Sequence, residues 1–171
     1  TISWNGFEHN TLLMNDGAGV FSSIGWLMNV ANEFDSRSVV SDDLDADGRP
    51  DLLVIRNDWQ VKRGRDQPGD ESLFLQHNQW SSKGNWIGVR LHEHGRGFSP
   101  VGARITVRHE GGVLTREVII GDSIMAQHSN HKHIGLGSTT ELEAIEVRWA
   151  NGKTSRITKP AINQYHELKP K

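Results

Sequence analysis

The chain has 171 residues, a formal net charge of −2 and no cysteine. This length suits one domain or two small β modules, and the balanced charge argues against a nucleic-acid or membrane-surface partner, which would need a basic footprint. Without cysteine there are no disulfides, thiolate catalysts or cysteine-based zinc sites. Eighteen glycines, six tryptophans and few helix-like periods predict an all-β protein with many turns.

The first 80 residues predict five short strands. Strands are expected at residues 11–14 and 20–21, separated by the turn residues 15–19, whose Asn and Gly supply positive φ angles. Residues 24–34 predict an irregular connection. Further strands are expected near residues 38, 52 and 73, and residues 62–70 predict an exposed loop. We expect the five strands to form one antiparallel sheet.

An acidic loop separates the strands expected near residues 38 and 52. Carboxylates occupy its positions 1, 3, 5 and 9, and Gly48 stands at position 6. Ca²⁺ takes several oxygen ligands at short distance, and a glycine permits the sharp turn that wraps them. The predicted side-chain ligands are Asp43, Asp45, Asp47 and Asp51, with the carbonyl of Arg49 at position 7 by analogy with known loops.

The acidic loop also resembles two other kinds of loop. An EF-hand needs a bidentate Glu at position 12, where this chain has Val54, and it needs flanking helices where this chain predicts strands. The other interpretation is a metal-free Asp/Gly turn. Ordinary turns do not space four carboxylates in this way, so the sequence predicts a calcium loop within a β-hairpin.

The second half of the chain, after a predicted boundary at residues 81–84, shows strict alternation of apolar and polar residues. Such strands have one wet face and pack into a sandwich or barrel. The expected inward side chains are Ile87, Val89 and Leu91, then Ala103, Ile105 and Val107, then Ile145, Val147 and Trp149. Gly111–Gly112 and Asn151–Gly152 predict hairpin turns.

Five outward arginines accompany these strands, and they suit either an anionic ligand or cross-strand partners. The arginines are Arg90, Arg104, Arg108, Arg116 and Arg148, and the candidate partners are Glu117, Glu143 and Glu146.

Several motifs together resemble a known pairing of domains. In the first half these are NDGAGVF at residues 15–21 and DLDADGRPD at residues 43–51. In the second half they are NWIGVRL at 85–91, VGARITV at 101–107, HIGLG at 133–137 and VRWANG at 147–152. The chain resembles an FG-GAP or VCBS-type calcium repeat followed by an ASPIC/UnbV domain, as in cartilage acidic protein-like sequences.

This resemblance implies a propeller-blade-like antiparallel sheet with a calcium loop over residues 1–80, then a β-sandwich or barrel-like ASPIC/UnbV module over residues 85–171. It also implies a secreted or periplasmic surface or matrix protein. One loop cannot make a full propeller. The chain departs from the family at Ala150, where a Pro is usual, and in residues 121–127, which lack an aromatic residue.

Two further arrangements of polar residues carry alternative chemistry. His128, His131 and His133 form a histidine cluster with spacing suited to Zn²⁺ or Cu²⁺. His131 and His133 share one strand face, and either His128 or the pair His92 and His94 would complete the site. A hydrolase would use Ser123, His128 and Asp122, but Ser123 lacks the Gly-x-Ser-x-Gly setting.

Tryptophans offer a platform for stacking against sugars. Trp86 and Trp149 are expected in the core because they lie within alternating strands, whereas four others lie near turns. The open candidates for glycan contact are Trp4, Trp26, Trp59 and Trp80.

Taken together, these patterns predict a non-enzymatic, calcium-binding extracellular β protein that acts in adhesion, surface or matrix structure, or self-assembly through β edges. Surface proteins and glycans are the other expected partners. Extracellular modules bind calcium with Kd of about 10⁻⁴ to 10⁻³ M, which favours an extracellular, periplasmic or cell-surface location. The sequence shows no signal-peptide pattern, and because it begins at Thr1 rather than Met we expect a processed or excised portion whose targeting segment is not included. No apolar run approaches the roughly 20 residues that span a bilayer. The alternatives are a carbohydrate-binding module and a transition-metal-dependent factor that uses the histidine cluster.

Overall fold

A computed structural model describes residues 9–33, 36–56, 73–81, 84–92 and 99–170. These residues contain twelve strands and no helix, so the predicted all-β class is confirmed. Among them there is no helix that is long and apolar enough to cross a membrane. The strands are β1 (Leu13–Asn15), β2 (Phe21–Ser23), β3 (Ser36–Asp42), β4 (Asp51–Arg56), β5 (Leu73–Gln76), β6 (Asn85–Leu91), β7 (Arg104–His109), β8 (Gly112–Glu117), β9 (Lys132–Gly137), β10 (Ala144–Arg148), β11 (Thr154–Thr158) and β12 (Tyr165–Leu168).

The described residues divide into two compact units. The first comprises residues 1–40 and 52–77, and the second comprises residues 41–51 and 78–171. The acidic loop therefore belongs to the same unit as the C-terminal strands. The boundary that the sequence predicts at residues 81–84 stays a prediction.

The five predicted strands form two sheets, and most of their residues belong to the first unit. β1 and β2 form an antiparallel hairpin, and β3, β4 and β5 form a separate three-stranded sheet. The prediction of one five-stranded sheet was wrong. Residues 24–31, which lie between β2 and β3, fold back on themselves through backbone hydrogen bonds such as the one from the Val30 N–H to the Gly25 carbonyl at 2.9 Å. The predicted irregular connection is confirmed over its described residues, whereas the loop predicted at residues 62–70 lies outside the described part.

The described residues of the first unit bury little apolar surface. Among its described residues, Val54 is the only hydrophobic side chain that is buried. A larger set is exposed on the hairpin, the following turn and the three-stranded sheet: Leu13, Met14, Val20, Phe21, Trp26, Leu27, Val39, Ile55, Leu73 and Leu75.

The second unit contains two sheets that share one hydrophobic core. One sheet has the order β11-β10-β7-β8 and is antiparallel throughout; the other has the order β12-β6-β9. In the second sheet β12 runs parallel to β6, which the sequence did not predict. The predicted inward residues are confirmed as core, from Ile87 on β6 to Trp149 after β10. The sheets form a sandwich without a closed barrel.

The predicted hairpin turns and cross-strand ion pairs occur in the four-stranded sheet. Gly112 pairs with His109 directly after the β7–β8 turn, and Gly152, at φ +83°, follows Asn151 in the β10–β11 turn. Arg104 forms an ion pair with Glu117 at 2.8 Å. Glu146 accepts bonds from both Arg108 and Arg156 at 2.9 Å. Cross-strand pairing, the second of the two predicted arginine roles, is thus confirmed for Arg104 and Arg108.

Gly88 on β6 permits the close approach of an aromatic ring. It pairs with Tyr165 across the parallel β12–β6 ladder, and a Cβ at this position would overlap the ring of Tyr165. We predict that Gly88→Ala destabilises the protein by about 1–3 kcal/mol, because the ring must shift out of a packed position. Urea unfolding followed by circular dichroism measures this change.

Gly135→Ala is the matched control for this substitution. Gly135 lies on the neighbouring strand β9, and a Cβ there would meet no atom within 4 Å. We expect its free energy of unfolding to stay within about 0.5 kcal/mol of the wild type. Equal effects of the two alanines would contradict the assigned role of Gly88.

Candidate metal centre

The acidic loop is organised by the buried carboxylate of Asp43. Only 7 % of Asp43 is exposed, and its Oδ1 accepts a hydrogen bond from the Asp47 backbone N–H at 3.0 Å. Its Oδ2 accepts the Gly48 backbone N–H, also at 3.0 Å. Gly48 has φ +89°, the conformation that the sequence predicted for the sharp turn. The first predicted ligand therefore sits inside the turn that it stabilises.

Asp51 closes the other end of the loop and is also buried, with 3 % exposed. Its Oδ2 accepts the Leu44 N–H at 3.3 Å, and its Oδ1 accepts the Asn78 N–H at 2.8 Å. Within the described residues, neither Asp43 nor Asp51 makes an ion pair with Lys, Arg or His. Buried carboxylates are normally paired with a cation or a metal, whereas the hydrogen-bond donors to these two among the described residues are all neutral.

The remaining predicted ligands lie on the exposed side of the loop. Asp45 Oδ1 accepts the Asp47 N–H at 3.2 Å, and Asp47 Oδ1 accepts the Arg49 N–H at 2.8 Å. The guanidinium of Arg49 forms an ion pair with Asp47 and donates from Nε to the Asn78 carbonyl at 2.8 Å. Sequence reasoning assigned only the carbonyl of Arg49, so it missed this role of the side chain in the loop.

Three side chains from three strands of the second unit contact the acidic loop. The Tyr165 hydroxyl on β12 donates to Asp43 Oδ2 at 2.7 Å. His133 on β9 hydrogen-bonds through Nε2 to the Gly48 carbonyl at 2.9 Å. Trp86 on β6 covers Gly48 so closely that a Cβ there would overlap the indole. The loop therefore lies on the outer face of the β12-β6-β9 sheet.

The three aromatic residues also contact one another. The rings of Trp86 and His133 stack at 5.0 Å between centroids, and Tyr165 meets Trp86 edge-on at 5.2 Å. The guanidinium of Arg90 lies 4.2 Å from the centroid of the Tyr165 ring. Such contacts hold the ring planes in place, so the Tyr165 hydroxyl is fixed toward Asp43.

Burial sets the protonation states of this aromatic group. Desolvation, followed by the hydrogen bond to Asp43, raises the pKa of Tyr165 well above its usual value, so its hydroxyl remains a donor at neutral pH. Desolvation lowers the pKa of His133 below its usual value, although the bond to Gly48 opposes this change. His133 is therefore neutral at neutral pH and carries its proton on Nε2, because a carbonyl can only accept.

Part of the chain matches a known family. Residues 95–171 match the family model described as ASPIC and UnbV. This part of the chain is similar to the ASPIC/UnbV family, and we refer to it below as the ASPIC/UnbV region. The predicted resemblance is confirmed for these residues, whereas an FG-GAP or VCBS repeat in the first half stays a prediction. No curated protein matches the chain. His133 and Tyr165 lie inside the ASPIC/UnbV region, and Trp86 precedes it.

The residues of the predicted histidine cluster have partners other than a metal. His133 is bonded to Gly48, and His128 Nδ1 lies 3.4 Å from Asp122 Oδ1. Within the described residues, His128, His131 and His133 form no group of three ligand atoms that could hold a metal. The backbone N–H of His128 lowers the pKa of Asp122, and burial lowers the pKa of His131. Ser123 pairs with Ala126 in an isolated bridge.

The tryptophans divide between core and surface. Trp149 is buried and donates from Nε1 to Ser155 Oγ at 3.0 Å, as predicted for a core residue. Trp86 lies over the acidic loop instead, because it faces away from the core, and the core prediction for it was wrong. Trp26 and Trp80 are exposed, whereas Trp4 and Trp59 lie outside the described residues.

The neutral state of His133 predicts a specific pH dependence. The pKa of His133 is lower in the folded protein than in the unfolded chain. Below about pH 6.5 the unfolded chain therefore binds more protons than the folded protein, and the free energy of unfolding decreases as the pH falls. We predict that wild-type protein in EDTA loses more unfolding free energy between about pH 8 and pH 5.5 than His133→Gln does. Gln keeps an N–H donor but does not titrate. Urea unfolding at both pH values makes the comparison, and equal losses would refute it.

Proposed function

We propose that the protein is a non-enzymatic, calcium-binding β protein of the cell exterior, which acts in adhesion, in surface or matrix structure, or in self-assembly. The observation that carries this proposal is the acidic loop, in which Asp43 and Asp51 are buried and have only neutral hydrogen-bond donors. A bound divalent cation would supply the missing positive charge.

The donor chemistry of the acidic loop suits calcium better than a transition metal. The proposed ligands are all oxygens, which hard cations prefer. A carboxylate has about four lone-pair positions. Asp43 uses three for hydrogen bonds and Asp51 uses two, so both retain capacity for a metal. The full proposed set is Asp43, Asp45, Asp47 and Asp51 with the Arg49 carbonyl.

Calcium would stabilise the folded protein and fix the conformation of the acidic loop. With a Kd of about 10⁻⁴ M and millimolar free calcium, binding would contribute about 1.4 kcal/mol to folding stability. An extracellular or periplasmic location fits such an affinity, because cytosolic calcium would leave the loop empty. The ASPIC/UnbV region, as a β-rich module, supports this assignment without naming a ligand.

The calcium assignment predicts a stability change that depends on Asp45. Millimolar calcium should raise the thermal midpoint of the wild type by about 3–6 °C over EDTA. Asp45→Asn should abolish most of this shift, because it removes an exposed charged ligand without disturbing the buried carboxylates. Differential scanning calorimetry measures the midpoints, and isothermal titration calorimetry measures binding.

Asp16→Asn provides the matched control. Asp16 also sits in an Asp/Gly turn, where its Oδ1 accepts the backbone N–H groups of Ala18 and Val20, but it lies outside the acidic loop. This variant should keep the full calcium shift. A wild-type midpoint that does not respond to calcium would count against the proposed function.

The exposed apolar surface of the first unit supports self-association. In its three-stranded sheet the cross-strand pairs Leu53–Leu75 and Ile55–Leu73 share one face. Leu73 and Leu75 are each more than half exposed. The neighbouring two-stranded hairpin is exposed along both strands, and an isolated hairpin is marginally stable in water. We propose a second copy of the chain as the partner, because the uncharged aliphatic pairs create no repulsion between identical faces.

Self-association should be visible in the molar mass. We expect light scattering behind size exclusion to give assemblies in millimolar calcium that disperse in EDTA. Leu75→Glu should produce a monomer in both conditions, because it places a charge on the aliphatic face. Met125→Glu changes an exposed hydrophobic residue of the second unit and should assemble like the wild type. A wild-type monomer in both conditions would exclude this mode of action.

Carbohydrate binding is a second candidate function. The indole of Trp26 is 71 % exposed, and the His9 ring meets it at 4.5 Å in an edge-on arrangement. An exposed aromatic face of this kind suits stacking against a sugar ring. A change in tryptophan fluorescence on a glycan panel, absent in Trp26→Ala, would favour this function.

The transition-metal alternative has less support, because His128 and His133 already have protein partners.

A further inference from the structure

Within the described residues, the Tyr165 hydroxyl is the one side-chain group that donates a hydrogen bond to the Asp43 carboxylate. The two residues are separated by 122 positions in the chain, and Tyr165 belongs to the ASPIC/UnbV region. None of the proposed calcium ligands lies in that region. The contact therefore connects the first position of the acidic loop to a distant strand that contributes nothing to the ligand set.

We infer that Tyr165 is a positioning residue for calcium: its hydroxyl holds Asp43 in the ligating orientation, so the calcium affinity of the loop depends on the folded ASPIC/UnbV region. This inference rests on the proposed calcium-binding function. The ASPIC/UnbV region would then regulate the acidic loop, which ends more than 40 residues before the family match begins at residue 95.

The geometry around Tyr165 supports this role, because the ring has little freedom to turn away. Gly88 leaves the space in which the ring lies, Trp86 meets the ring edge-on, and the Arg90 guanidinium covers it at 4.2 Å. The donor therefore points at Asp43 before any cation arrives. Preorganised partners of this kind orient ligands, and their loss typically weakens metal affinity about 10–100-fold.

A second anchor acts at position 6 of the loop. His133 holds the Gly48 carbonyl at 2.9 Å, while Trp86 packs against the same glycine. Positions 1 and 6 are thus fixed by β12, β9 and β6 together. Since both anchors lie on one sheet face, calcium binding and the integrity of that sheet should stabilise each other.

Tyr165→Phe tests the inference, because it removes only the hydroxyl and keeps the ring that packs on Gly88. Calcium is titrated into the full chain at constant ionic strength, up to tens of millimolar, and followed by calorimetry and tryptophan fluorescence. We expect Kd to rise about tenfold or more relative to the wild type. His133→Ala, which removes the second anchor, should also weaken calcium binding and serves as an independent variant.

Ser155→Ala is the control for general destabilisation. Ser155 is buried in the same unit, where its hydroxyl accepts from Trp149 Nε1 and donates to the Lys169 carbonyl at 2.8 Å. Loss of this hydroxyl should lower the thermal midpoint while leaving the calcium Kd within about twofold of the wild type. A merely structural role of Tyr165 would give the same pattern as Ser155.

The outcomes separate the inference from the proposed function. A wild type that binds calcium, a weakened Tyr165→Phe and an unaffected Ser155→Ala support the positioning role. If the wild type and Tyr165→Phe bind equally, or if Ser155→Ala weakens binding as much as Tyr165→Phe, the inference is overturned while calcium binding stands. A wild type that binds no calcium overturns both.

Discussion

The buried carboxylate of Asp43 is the constraint on which the acidic loop depends. It accepts two backbone N–H groups of its own loop and the hydroxyl of Tyr165, so the turn and the sheet face beneath it share one acceptor. Burying this charge beside Asp51 is costly unless a cation compensates both. The same constraint accounts for the glycines, since Gly48 must admit Trp86 and Gly88 must admit Tyr165.

The described residues of the two units differ in how much apolar surface they bury. The second unit closes two sheets over a core in which Ile87, Ile105 and Ile145 are fully buried. The first unit buries Val54 and leaves the Leu53–Leu75 and Ile55–Leu73 pairs on an open sheet face. Large exposed apolar faces mark interaction sites, and this face is the basis of the proposed self-association.

Much of the second unit could be predicted from local patterns. Alternation identified Val89 and Val147 as core residues because successive side chains of a strand point to opposite faces. Asn151–Gly152 identified a turn because glycine adopts the positive φ that a tight hairpin requires. The core prediction for Trp86 was wrong. Alternation along a strand assigns side chains to two faces, but it does not show what packs on the outer face.

By itself, the sequence determined the all-β class, most strand positions, the acidic loop spacing and the ASPIC/UnbV resemblance of the C-terminal part. These features depend on residues that are close together in the chain, so short-range periodicity and turn chemistry reveal them. Only the tertiary structure decided that β12 joins β6 in parallel, that the first unit has two sheets, and that Tyr165 meets Asp43. Contacts across 122 residues follow from chain topology and side-chain packing, for which a single sequence has no local signal.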